Sequence, residues 1–228
     1  MFVAGLIADV FATNCYLLAP ERGGACVVVD PGIGVVDRLR DLLGKHELVP
    51  AAVLLTHGHF DHTGAAAAVC DAWGVPAYVH PADREQLVDP RIGVGMDLRE
   101  LFGEDFIWNE PSNVSGYPES MTLRLAGLDI AVEAAPGHTA GSVLLHVESN
   151  GDRICVSGDV LLAGSVGRTD LPGGDPDAMV TTLRDRILLL PDETTVLPGH
   201  GPQTTIGHER VGNPYLRAAA AGTVGTRG

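Results

Sequence analysis

Apolar positions along the chain fall into two rhythms. Short continuous runs at Phe2 to Val10, Cys15 to Ala19 and Ala25 to Val29 predict strands, and the spaced pattern of Val35 to His46 predicts an amphipathic helix. The alternation then repeats, with a buried strand at Ala51 to Leu55, an Ala-rich helix from Gly64 to Trp73 closed by Gly74, and a strand at Ala77 to Val79. Leu123 to Leu125, Ile130 to Ala134, Val143 to Val147, Ile154 to Val156 and Thr195 to Leu197 predict further strands, with a helix over Pro176 to Leu190. The arrangement this implies is two sheets packed face to face with helices outside, one α/β domain over residues 1–217.

One stretch breaks the rhythm. Asp83 to Ser120 mixes Pro, Gly and acidic residues with the aromatics Phe102, Phe106, Trp108 and Tyr117. A loop of that length inside a compact domain usually has a purpose, so the expectation is a lid over a site or a dimer contact, set against a plain surface excursion. The Ala- and Gly-rich stretch 218–228 predicts a frayed tail.

Composition narrows the function classes. A chain of 228 residues with 45% apolar content can bury a sizeable core. The formal net charge of -14 repels a phosphate backbone, because nonspecific affinity for nucleic acid comes from Lys and Arg displacing counterions. No apolar run is long enough to span a bilayer, and Phe2 to Ala8 lacks the basic flank of a signal segment, so no membrane partner and a cytoplasmic location are expected. Cys15, Cys26, Cys70 and Cys155 lie far apart without C-x-x-C spacing, which predicts small buried thiols in a reducing compartment. Nothing in the sequence sets the oligomeric state.

The chemistry concentrates where predicted strands end. His57 follows A-A-V-L-L-T, Asp159 follows I-C-V-S-G, His200 follows T-V-L-P-G, and His138 follows A-A-P-G. Strands ending together at one sheet edge would deliver these groups to a common point. Thr56 to His62, T-H-G-H-F-D-H, packs three imidazoles and a carboxylate into one turn between a strand and a helix. Such donors suit zinc, iron or manganese, and the lack of nearby cysteine argues for an open, reactive site over a closed structural one. Burying several unpaired imidazoles together without a metal would be costly. His46, His80, His146 and His208 stand outside this cluster and read as ordinary core or surface residues.

T-H-G-H-F-D-H, together with A-P-G-H-T-A-G, S-G-D-V-L and L-P-G-H-G, resembles the metallo-β-lactamase fold superfamily, with the motifs in order from Thr56 to Gly201. Within it, G-S-V-G-R-T-D-L-P-G-G-D at Gly164 to Asp175 and the ending G-H-E-R-V-G-N-P-Y-L resemble the short bacterial glyoxalase II-like hydrolases. The resemblance implies an αββα four-layer sandwich and a thioester hydrolase acting on S-2-hydroxyacyl-thiols through a hydroxide that bridges two divalent metal ions. Zinc is the first expectation for those ions, and the same donors accept iron or manganese. His57, His59 and His138 would hold the first metal, Asp61, His62 and His200 the second, with Asp159 bridging and Asp61 orienting the nucleophile. Asp30, in V-V-V-D-P-G, matches a further motif that implies support of the ligand loops, or else is a turn aspartate before Pro31.

The expected partner is a small-molecule thioester. Arg168 and Tyr215 are the substrate-binding candidates, since a carboxylated thiol would need a cation and hydrogen-bond donors; Arg168 could instead pair with Asp170 or Asp175, and Tyr215 and Arg210 could belong to a packed C-terminal segment. Full-length glyoxalase II enzymes carry a C-terminal helical domain that grips glutathione, whereas only a short stretch follows His200, so the carrier thiol stays open. The alternatives are a persulfide dioxygenase, which shares G-R-T-D and would use one iron at His57, His138 and Asp159, and a lactonase.

Overall fold

A computed structural model describes residues 1–117, 122–149 and 151–222. The first sheet orders β1 (Phe2–Ile7), β2 (Asn14–Ala19), β3 (Gly24–Val29), β4 (Leu48–Leu54), β5 (Ala77–Val79) and β6 (Val114–Gly116) side by side in chain order. The second runs in reverse chain order from β12 (Thr204–Thr205) through β11 (Thr195–Pro198), β10 (Asp152–Gly158), β9 (Val143–Ser149) and β8 (Leu128–Ala134) to β7 (Thr122–Leu125). The pairings β3–β4, β4–β5, β5–β6 and β10–β11 are parallel.

Strand alternation sorts the apolar side chains into layers. On β2, β3 and β4, Leu17, Val28 and Val53 turn toward α1 (Val36–His46) and α3 (Ala66–Trp73), while Leu18, Val27 and Leu54 turn toward the opposite sheet. On β9, β10 and β11, Val143, Leu145, Ile154, Val156 and Leu197 meet them, and Leu144, Cys155 and Val196 turn outward under α7 (Pro176–Asp185), α8 (Ile206–Gly212) and α9 (Pro214–Ala220). Three apolar layers between four layers of structure make an αββα sandwich. Strands buried on both faces have to be apolar at consecutive positions, which is why they read as continuous runs.

The differences from the sequence reading have local causes. β1 stops at Ile7 because Phe11 and Ala12 adopt left-handed backbone (φ 53° and 56°), turning the chain back into β2. The helix foreseen from Gly64 to Trp73 is α3, which begins at Ala66, and an unforeseen short helix, α2 (Phe60–Thr63), precedes it. The one expected over Pro176 to Leu190 ends at Asp185 and continues as a 3₁₀ turn at Ile187–Leu189. The stretch 83–120 is less irregular than its composition suggested: it forms α4 (Arg84–Val88), α5 (Arg91–Val94), α6 (Arg99–Phe102) and the sheet-edge strand β6, while 118–120 lie outside the described residues. α9 carries the chain in helix to Ala220 with Ala219 buried under α7, so 218–220 are not frayed; 223–228 lie outside the described residues. All four cysteines are free and buried.

Leu145 is fully buried between the sheets, whereas Leu189 is 75% exposed. Leu145→Ala is expected to lower unfolding free energy by about 2–5 kcal/mol and Leu189→Ala by no more than about 0.5 kcal/mol, measured by chemical denaturation.

Candidate metal centre

The ligand-bearing segments converge at one edge of the sandwich, one from the first sheet and three from the second. β4 leads into Thr56–His62 and α2; β8 leads into the turn that carries His138; β10 ends at Gly158, immediately before Asp159; β11 ends at Pro198, just before His200. His57, His59, His62, His138 and Asp159 are buried, and Asp61 and His200 are half-buried.

Nitrogen and carboxylate donors fall into three overlapping groups whose ligand atoms lie within 4.8 Å of one another: His57, His59 and His138; Asp61, His62 and His200; and His57, His62 and Asp159. Asp159 lies between the first two. Its Oδ2 is 3.6 Å from His138 Nε2 and 3.5 Å from His200 Nε2, and its Oδ1 is 3.5 Å from His62 Nε2. All seven predicted ligands are therefore brought together, with two donor trios sharing one carboxylate.

Hydrogen bonds from behind fix which ring nitrogen faces inward. His62 Nδ1 donates to Asp30 Oδ2 at 2.9 Å, His138 Nδ1 to the Arg168 carbonyl at 2.7 Å, and His200 Nδ1 to the Phe11 carbonyl at 3.0 Å. The Thr56 hydroxyl donates to Asp30 Oδ2 (2.6 Å), so at 3.1 Å it accepts from His57 Nδ1. Each ring so held turns Nε2 inward, the orientation in which it can be a ligand to a divalent cation. Buried His57 Nε2, His59 Nε2, His138 Nε2 and Asp159 Oδ1 have no hydrogen-bond partner, an arrangement that is unfavourable unless a cation completes it. The residues present fit divalent metal binding.

Two carboxylates brace these loops. Asp30, buried and in left-handed backbone (φ 48°), accepts from the Thr56 amide at 2.8 Å as well as from the Thr56 hydroxyl and His62, so it supports the ligand loop and is more than a turn residue. The second brace was not foreseen. Asp83, fully buried after β5, accepts from the Gly58 amide (2.8 Å), the Gly141 amide (2.8 Å) and the Thr139 hydroxyl (2.7 Å), tying the His57–His62 loop to the loop of His138. Its sequence signal was an acid shortly after a buried strand at the same edge, hidden because it opened an irregular stretch. Gly167 and Gly199 permit close approach: a Cβ at Gly167 would collide with the Asp159 carbonyl, and one at Gly199 with the Asp159 carboxylate.

A cavity of about 430 Å³ opens over the donors. Beyond the ligands it is lined by Phe11 and Phe60, by Val94, Met96 and Leu101 of the 83–120 stretch, and by the loop after β10, including Arg168. Arg168 reaches the rim, but its guanidinium is paired with Asp170 at 2.6 and 2.7 Å. Tyr215 does not line the cavity; it packs with the α7–α9 core, as does the segment around Arg210, whose guanidinium binds Asp192 and the Leu188 and Leu190 carbonyls. None of His46, His80, His146 and His208 belongs to a donor group.

The chain belongs to the metallo-β-lactamase superfamily, whose family model matches residues 8–200. Hydroxyacylglutathione hydrolase GloC of Haemophilus influenzae is 32% identical over 91% of this chain and 94% of its own length. The crystal structure of the BLEG-1 B3 metallo-β-lactamase superposes with a TM-score of 0.82 at 35% identity, covering 94% of this chain and 99% of that one. TTHA1623, solved in a di-iron-bound form, does so with 0.76 at 38% identity, covering 93% and 99%. Among the described residues, no helix is long and apolar enough to cross a membrane.

Without metal the two trios hold protons differently. Burial and the neighbouring imidazoles His62 and His138 push His57 well below the usual histidine range, and burial with His138 takes His59 down to about 3. Burial also opposes a charge on His62, but Asp61, Asp159 and Asp30 outweigh it and raise its pKa to about 10; His200 is raised against burial by Asp61 and Asp159. At neutral pH a cation entering the Asp61, His62 and His200 trio must therefore displace a proton, while His57 and His59 are already free. Titration with zinc is expected to show one equivalent whose binding persists to lower pH and a second whose affinity falls at least about ten-fold per pH unit of acidification below neutrality, with proton release. Asp83→Ala should lower thermal stability by at least about 2 kcal/mol, measured by denaturation, and weaken the first equivalent more than the second, because three donors lose their acceptor.

Proposed function

We propose that this chain is a dinuclear metal-dependent hydrolase that cleaves thioesters of the S-2-hydroxyacyl-thiol kind. The observation that carries the reading is the complete pair of donor trios around Asp159, with oriented imidazoles and buried atoms that lack a partner. The similarity to GloC along nearly the whole chain, and the G-R-T-D-L-P-G-G-D loop lining the cavity, favour a thioester as substrate.

Divalent ions held by His57, His59 and His138 and by Asp61, His62 and His200, with Asp159 between, would supply Lewis acidity at a carbonyl oxygen and lower the pKa of a water toward about 7. The chain's own residues do the rest. Thr13 donates its hydroxyl to Asp61 Oδ2 at 3.0 Å and His200 Nε2 lies 3.2 Å from the same oxygen, so the carboxylate is fixed to accept from the attacking water and aim it. The surrounding imidazoles, with His62 first among them, hold the Asp61 carboxyl below its usual range against burial, which keeps it an acceptor at any working pH. A thiolate, with a parent thiol pKa of about 8.5, leaves without a strong acid, so no dedicated proton donor is required.

Purified protein is expected to hold about two equivalents of zinc, iron or manganese and to release free thiol from a 2-hydroxyacyl thioester, with chelation abolishing the rate. Oxygen consumption with a persulfide by a protein holding one iron, or turnover of a lactone or a β-lactam in preference to the thioester, would overturn the reading. Asp61→Ala should keep the fold by circular dichroism, lose the second metal equivalent and slow turnover by at least about 100-fold.

A further inference from the structure

Outside the donor cluster, the cavity wall is almost entirely apolar. Phe11 and Phe60 come from the turn before β2 and from α2, Met96 and Leu101 from the α5–α6 stretch, and Leu162 and Leu171 from the loop after β10. These segments are distant in sequence, yet each delivers apolar side chains to the same space. Phe11 is 60% exposed and Leu101 45% exposed, and Phe11 sits in left-handed backbone, so a large apolar side chain is displayed to water from a strained position. An edge-to-face series links Phe11 to Phe60 at 5.7 Å and Phe60 to Phe102 of α6 at 6.0 Å, so the exposed ring is held in place by aromatic neighbours.

The charged side of the wall is the opposite of what an acidic carrier needs. Arg168 is the one Arg or Lys on the lining among the described residues, and Asp170 occupies the Nε and Nη2 edge of its guanidinium, the edge that would pair with a carboxylate. The chain as a whole carries a net charge of -14, a field that disfavours approach of a polyanion. A site built for a carboxylated thiol would leave a guanidinium free to make the bidentate contact that recognises a carboxylate.

We infer that this site takes an uncharged thioester with an apolar substituent, received by the wall of Phe11, Phe60, Met96, Leu101, Leu162 and Leu171, and discriminates against carriers bearing carboxylates. The inference rests on the thioester reading above and specifies its substrate class. A cavity of about 430 Å³ lies in the lower part of the range for small-molecule sites, so the fit is to a modest chain or ring. The apolar substituent can stand on the acyl or on the thiol side of the reacting carbonyl, and the two sources are separable by experiment.

The test uses the metal-loaded full chain and two matched series: thioesters of 2-mercaptoethanol with 2-hydroxyacetyl, 2-hydroxybutyryl, 2-hydroxyhexanoyl and 2-hydroxysuccinyl groups, and 2-hydroxyacetyl thioesters of ethanethiol, hexanethiol and glutathione. Non-hydrolysable thioether analogues of each are titrated by calorimetry alongside. The expected result is that kcat/KM and analogue affinity rise about four-fold per added methylene in at least one series until the cavity fills. Binding should carry a negative heat-capacity change, and the 2-hydroxysuccinyl and glutathione compounds should be the poorest of their series. Leu101→Ala and Met96→Ala should flatten the chain-length dependence while leaving bound metal unchanged. Flat dependence in both series, or preference for the carboxylated compounds, overturns the inference while leaving thioester hydrolysis intact. Chain-length-dependent binding of the analogues with no thioester turned over overturns the hydrolase reading instead.

Discussion

Everything at the working edge of this molecule depends on a carboxylate, Asp30, that is closed off from bulk solvent. Set at the end of β3 in left-handed backbone, it takes the Thr56 amide, the Thr56 hydroxyl and the His62 ring as its partners. Those bonds fix the start of the ligand loop and, through Thr56, the ring of His57. A charge in an apolar interior is tolerable only when fully paired, so the loop has one conformation available and the imidazoles inherit it. Asp83 extends the same constraint to the other half of the sandwich, since it grips Gly58 and the Thr139–Gly141 turn together.

The centre is consequently a joint between the two sheets as much as a reactive site. His57, His59, Asp61 and His62 come from the first sheet's edge; His138, Asp159 and His200 come from the second's. The interior layer of Leu18, Leu54, Leu145 and Val156 sets how the sheets sit, and glycines at 167 and 199 let backbone come close enough for the donors to meet. Packing and chemistry are thus linked: a shift between the sheets would separate donors that belong to the same trio.

Most of this was legible in the chain itself. Strands buried on both faces, such as those around Val28 and Leu145, announce themselves as unbroken apolar runs, and the ligands stand directly after such runs. What escaped was whatever depends on contacts across the fold. Asp83 looks like any acid in a loop until the amides of Gly58 and Gly141 are seen to surround it. The short helices α4, α5 and α6 have too few residues to show periodicity, and the left-handed pair Phe11 and Ala12, which ends β1 early, has no Gly or Asn to mark it. Arg168 could be placed near the centre by its motif, but its engagement with Asp170 was only one of two readings, and Tyr215 could not be assigned to the α7–α9 core from spacing alone.

The turn at Phe11 divides its labour between main chain and side chain. Its carbonyl orients His200, while its ring forms part of the cavity wall. Because the orienting group is one every amino acid possesses, the ring can be exchanged for another shape while the imidazole keeps its direction. Selectivity and reactivity are thereby uncoupled at one residue, so the mouth of this site can be remodelled by substitution without dismantling the ligand set beneath it.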